Sequence, residues 1–128
     1  MSLFQPKVDR IAEVSISALA YLGDAVYELH VRLHHLEPPQ KSHTYHQLVV
    51  SRVRAESQAK QLDYLDLTSA ELDLVKRGRN AAGSASRRIA PDVYQKATGF
   101  EALIGYLYLT NSNRLDQILA QIDSEIRS

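Results

Sequence analysis

Two carboxylates stand where a helix gains nothing from them. Asp24 falls inside Ala20-Tyr21-Leu22-Gly23-Asp24-Ala25-Val26-Tyr27, an otherwise apolar run. Aspartate is a poor helix-interior residue because its carboxylate competes for backbone N–H groups. Gly23 beside it costs about 1 kcal/mol relative to alanine. Two unfavourable choices side by side point to the close approach of another group. Glu101 lies in Phe100-Glu101-Ala102-Leu103-Ile104-Gly105-Tyr106, on the edge of an apolar stripe. A carboxylate there needs a cationic partner or a metal to offset its desolvation. Glu28, four residues after Asp24, shares its helix face. Acids facing each other across a helix pair can hold a divalent cation, and hard oxygen ligands suit Mg²⁺ or Mn²⁺. On spacing alone, an ion pair with one of the fifteen Lys and Arg residues accounts for them equally well.

The elements that must position these acids read as all-α. Leu19, Leu22, Val26, Leu29 and Leu33 recur at three and four residues, so a helix is expected from about Ser15 to Leu36, with those leucines as its main stripe and Ala20, Tyr27 and Val31 as a second flank. A second helix is expected from Ser42 to about Leu62, with Leu48, Val49, Val53, Ala55, Ala59 and Leu62 inward. Thr68 and Glu71 have capping-box spacing and open a third, which should fray at Gly78. Residues 78–91 lack helical periodicity and read as one long loop, a kind of segment that is usually functional or disordered. Helix resumes after Pro91 through Tyr94, Ala97, Phe100, Leu103, Ile104, Leu107 and Tyr108, and a last amphipathic helix carries Leu115, Ile118, Leu119 and Ile122. Five or more helices packed as a bundle are expected, in a single domain over residues 1–128.

Composition narrows the classes. Without cysteine there is no disulfide framework, thiolate nucleophile or cysteine zinc site. The N-terminus lacks a basic region followed by an apolar run, and no stretch approaches the roughly 18 apolar residues of a membrane span. A cytoplasmic protein is expected, with no membrane partner. Net charge is zero, with 15 basic and 15 acidic residues, so nucleic acid can be drawn only by a local patch. Such a patch falls between residues 76 and 96, where Lys76, Arg77, Arg79, Arg87, Arg88 and Lys96 face Asp92 alone, with Asn80 among them. Spacing by Gly, Ala and Ser, without aromatics to stack on, suits a duplex backbone better than unstacked single strand. His30 and His34 at i, i+4, and His43 and His46 at i, i+3, have spacings that can grip zinc, but no HExxH pattern accompanies them.

The segment Tyr21-Leu22-Gly23-Asp24-Ala25-Val26 resembles the signature helix of the ribonuclease III family, and Phe100-Glu101-Ala102-Leu103-Ile104-Gly105 resembles that family's second acidic motif. The two lie in the family's order, about 75 residues apart. The resemblance covers roughly Ala18 to Ile122 and, with no double-stranded-RNA-binding domain expected, points to the compact bacterial branch. It implies an all-helical, homodimeric endoribonuclease that cuts double-stranded RNA with Mg²⁺ (Mn²⁺ substituting), leaving 5′-phosphate and 3′-hydroxyl ends. The implied substrate is the precursor of large-subunit (23S) ribosomal RNA. Asp24 takes the place of the catalytic aspartate, Glu101 that of the metal-binding glutamate, and Tyr21 that of an aromatic seated in the partner subunit. Ala20 and Thr98 stand where longer members carry two further acids, and Ser17 where the signature's first glutamate falls. The remaining ligands and the number of metals stay open, Glu28 included. A non-catalytic RNA-binding or interaction module of the same fold is the alternative.

Overall fold

The computed structural model describes residues 2–83 and 88–127. Among these, six α-helices follow a single 3-10 turn at Ile11–Glu13: α1 (Ile16–His34), α2 (Ser42–Val53), α3 (Ala55–Tyr64), α4 (Ser69–Ala82), α5 (Pro91–Thr110) and α6 (Ser112–Arg127). No strand is present among the described residues, so the fold is all-α. Local chemistry sets the starts. The Ser15 hydroxyl accepts from the Ala18 N–H to open α1, and Pro91 opens α5 at its first position, where its missing N–H costs nothing.

α5 is the central helix. It buries Phe100, Leu103, Ile104 and Leu107 and packs on α1, α3, α4 and α6, its largest interface being with α1. Tyr27 of α1 meets Phe100 edge to face, with ring centroids 4.9 Å apart. Ile118 and Ile122 of α6 complete the core. The face that α1 turns inward is Leu19, Ala20, Gly23, Tyr27 and Val31. The expected leucine stripe is therefore rotated: Leu29 is 44% and Leu33 61% exposed. The cause is steric. A Cβ on Gly23 would overlap the Glu101 carbonyl oxygen and lie 2.7 Å from its carbon, and one on Gly105 would overlap the Leu19 carbonyl oxygen. Only these glycine faces allow α1 and α5 to cross with backbones in contact, and the leucines yield to that.

Two expected boundaries differ. The helix expected from Ser42 to Leu62 is broken at Arg54, whose extended backbone (φ −70°, ψ 157°) ends α2 and starts α3 on a new axis. Gly78 does not end α4. It is buried in the middle of the helix, and a Cβ there would stand 2.9 Å from the Gly99 Cα, so it serves helix packing. α4 continues to Ala82 and closes on Gly83, whose φ of 65° favours glycine. The loop expected over 78–91 therefore keeps no residue before Gly83, and its residues 84–87 lie outside the described residues.

The capping box is formed as expected: the Glu71 N–H donates to the Thr68 hydroxyl (3.2 Å) and the Thr68 N–H to Glu71 Oε1 (2.9 Å). Glu71 also receives two bonds from Arg114 of α6, at 2.8 and 2.9 Å, while the same guanidinium reaches the Asp66 carbonyl. Arg114 holds the Glu71 carboxyl below its usual range, against the opposing effect of burial. Glu71→Ala removes a cap and strands a partly buried guanidinium, so it should cost about 3 kcal/mol at pH 7. A folded pKa that lies below the unfolded one contributes stability above about pH 4.5 and loses it as pH falls. Urea titrations should therefore show the gap between wild type and variant narrowing below pH 4.

Candidate catalytic cleft of α1 and α5

The glycine-mediated crossing brings Asp24 and Glu101 to one place. Both line a cleft of about 290 Å³ with Ser17, Ala20 and Tyr21 from α1, Ala81 and Ala82 from α4, and Tyr94 and Thr98 from α5. Asp24 is exposed at its mouth and Glu101 lies deeper, half-buried. Burial, and then the hydrogen bond and charge of Asp24 beside it, push the Glu101 carboxyl up to about 8. Two carboxylates this close cannot both ionise cheaply in water-poor surroundings. Gln58 of α3 opposes the rise with its amide, and it is 2% exposed. Its place was not foreseen, although it falls one step before Ala59 on the inward face of its helix, where a polar residue needs a reason.

Ala20 and Thr98 line the same cleft. The Thr98 hydroxyl donates to the Tyr94 carbonyl at 3.0 Å, so only its lone pairs are available to the cleft. Glu28 is not at the site: it pairs with Arg32 at 2.8 Å on the same helix. Among the described residues no group of three or more His, Asp and Glu side chains gathers as a metal cage. His30 and His34 are instead engaged by Asp123 of α6, at 3.0 and 3.5 Å, and Arg52 donates to the same carboxylate at 2.7 Å. Burial raises the Asp123 pKa, but the bonds from His30 and Arg52 outweigh it and hold the carboxyl at about 2. His43 and His46 are exposed.

The basic patch is less positive than its sequence suggests. Asp92 sits between two of its cations, 2.9 Å from Arg79 and 3.8 Å from Lys96, and Asp63 of α3 lies 3.3 Å from Lys96. Lys76, Arg77, Asn80 and Arg88 are exposed, and Arg87 lies outside the described residues. Arg77 lines depressions beside Tyr106, away from the carboxylate cleft. Gly83 follows Ala82, which lines the cleft's edge. Tyr21 is 84% exposed.

Comparison with known proteins bears on this cleft. A family model described as the ribonuclease III domain matches residues 17–112, which include both acids. The chain is 49% identical to the Mini-ribonuclease 3 of Thermosynechococcus vestitus, over 97% of this chain and 83% of that protein. The chain belongs to the ribonuclease III family. Within it the likeness is to the Mini-ribonuclease III branch: the corresponding protein of a Synechococcus strain is 54% identical over 86% of this chain and 81% of its own length. A crystal structure of a Fusobacterium nucleatum protein superposes with a TM-score of 0.81 at 28% identity, covering 94% of this chain and 98% of that one. This Mini-ribonuclease III relative is thus an endoribonuclease by family. No helix among its described residues is long and apolar enough to cross a membrane.

Proposed function

We propose that the protein is a cytoplasmic, homodimeric, Mg²⁺-dependent endoribonuclease specific for double-stranded RNA, with Asp24 and Glu101 as the catalytic, metal-holding pair. The observation that carries this reading is the pair itself, two carboxylates in one cleft with Glu101 raised to about 8. A shared divalent cation relieves that like-charge conflict, and the all-oxygen donor set suits a hard ion such as Mg²⁺. When bound, such a cation neutralises charge on a phosphodiester and lowers the pKa of a bound water. Asp24, at the mouth, faces the incoming strand, while Glu101 anchors from below. Thr98 offers lone pairs in place of the acid absent there, and Ala20 leaves open space.

Lys76, Arg77, Arg79, Asn80, Arg87, Arg88 and Lys96 form the proposed RNA-contacting surface. A two-fold dimer sets one cleft near each strand of a duplex. The apolar side chains left open on α1, including Tyr21, Leu29 and Leu33, supply a surface for that pairing. The ribosomal RNA precursor and the 5′-phosphate and 3′-hydroxyl ends follow from the family resemblance.

Purified protein incubated with a long RNA duplex, with its separated strands and with EDTA tests the reading. Mg²⁺-dependent cutting of the duplex alone is expected. Cleavage that persists in EDTA, or that prefers the single strands, overturns it. Replacing Arg87 and Arg88 with alanine should weaken duplex binding and reduce the slope of log affinity against log salt by about 1 to 2. An unchanged slope removes Arg87 and Arg88 from the interface.

A further inference from the structure

α3 packs on α5 and brings a buried neutral amide to Glu101, behind the cleft's lining. Gln58 is among the largest fully buried side chains, and its Nε2 makes no hydrogen bond to an acceptor among the described residues. An unmet buried donor costs about 1–3 kcal/mol. Leucine or methionine would fill the same space without that penalty, so the amide calls for a partner that the protein alone does not fully provide. The group it meets is Glu101 of α5. It faces it because the chain breaks at Arg54 and restarts, which lays α3 along α5. An unbroken α2–α3 helix would carry Gln58 along a different axis.

We propose that Gln58 is a positioning residue: its Nε2 donates to a Glu101 carboxylate oxygen and fixes the orientation in which Glu101 and Asp24 share a divalent cation. The inference rests on the reading of Asp24 and Glu101 as the cation's holders. Without the cation, Glu101 is engaged with Asp24 and the amide is under-satisfied. Were Asp24 and Glu101 to hold the cation, Glu101 would be released from Asp24 and could give Gln58 a full acceptor. Partners that orient a metal ligand typically account for 10–100-fold in metal affinity or activity.

Gln58→Met keeps length and volume and removes only the amide. In the full-length protein without RNA, a Mn²⁺ titration read by electron paramagnetic resonance should show affinity reduced 10–100-fold. The melting temperature should be equal to or above that of wild type, because an unmet donor has been removed. Cleavage should return as Mn²⁺ is raised, with the KM for duplex unchanged. Gln58→Leu carries the same expectation should the methionine variant not fold. Wild-type Mn²⁺ affinity in a folded variant overturns the proposal, and so does a lowered melting temperature with unchanged affinity, which marks the amide as structural. Asp24→Asn is measured alongside. If it too binds Mn²⁺ normally, the metal-site reading itself has failed. If only Asp24→Asn loses binding, Gln58 alone is dismissed.

Discussion

Asp24→Asn and Glu101→Gln are each expected to slow cleavage of duplex RNA by at least about 10³-fold, while the protein stays folded and still binds the duplex. The size follows from what the pair supplies. Charge stabilisation by a held cation amounts to several kcal/mol, and each 1.36 kcal/mol is a factor of ten in rate. Among the described residues that line the cleft only two are carboxylates, so no third acid there compensates for the loss of one. A second, opposite effect separates this site from a structural ion pair. Burial and Asp24 hold the Glu101 pKa near 8, above its ordinary 4.5. A carboxyl whose folded pKa is raised contributes stability that is complete below the unfolded value and is lost as pH rises through the folded one. Metal-free wild type should therefore lose stability between about pH 5 and pH 9. Glutamine at 101 stays neutral throughout, so Glu101→Gln should match wild type near pH 5 and melt several degrees higher at pH 8.5. Added Mg²⁺ should raise the melting temperature of the wild type and not of the variant. A Glu101→Gln protein that is less stable than wild type at pH 8.5, or that cuts at the normal rate, contradicts the assignment.

The same acids show how far sequence reasoning reaches. Asp24 and Glu101 were legible because each breaks a local rule, a helix-interior aspartate beside glycine and a carboxylate on an apolar edge. Gly23 signalled a close approach, and the backbone of α5 at Glu101 is what approaches. The rotation of α1 was not legible, because counting hydrophobic spacing ranks leucine above glycine, whereas van der Waals contact between two backbones ranks glycine first. Gln58 was hidden for a related reason. Glutamine is an ordinary helix former, and the turn at Arg54 that aims it has neither proline nor glycine to announce it. Charge patterning failed where it depended on distance along the chain: Asp63, which neutralises Lys96, comes from a different helix. Local exceptions to propensity can be read from one sequence. Choices between competing packings depend on partners that only the fold brings together.

Gly23→Ala tests whether that packing choice and the chemistry are one feature. Alanine is the better helix residue by about 1 kcal/mol, so propensity alone forecasts a stabler protein. Sterics forecasts the reverse. The added Cβ would overlap the Glu101 carbonyl oxygen and stand 2.8 Å from the Gly105 N, and both obstacles are backbone, which no rotamer change can clear. α1 and α5 must separate, opening the core around Tyr27 and Phe100. Overpacking usually costs 1–3 kcal/mol, and displacing a whole helix belongs at or above the upper end of that range. We expect a net loss of about 3 kcal/mol or more, a large share of the 5–15 kcal/mol that holds a typical domain together. The melting temperature should fall by about 10 °C. Separation also pulls Asp24 from Glu101, and a displacement near 1 Å at reacting groups costs about 10²-fold in rate. Any folded fraction should therefore cut slowly and bind Mn²⁺ weakly. Ala120→Gly, on the exposed side of α6 and away from both the cleft and the proposed dimer surface, is the matched control. It should lose about 1 kcal/mol through propensity and keep full activity per folded molecule. If Gly23→Ala were as stable and active as wild type, the backbone crossing could not be what sets the two carboxylates side by side. If it lost stability yet kept its Mn²⁺ affinity, Asp24 and Glu101 would be positioned by something other than the α1–α5 crossing.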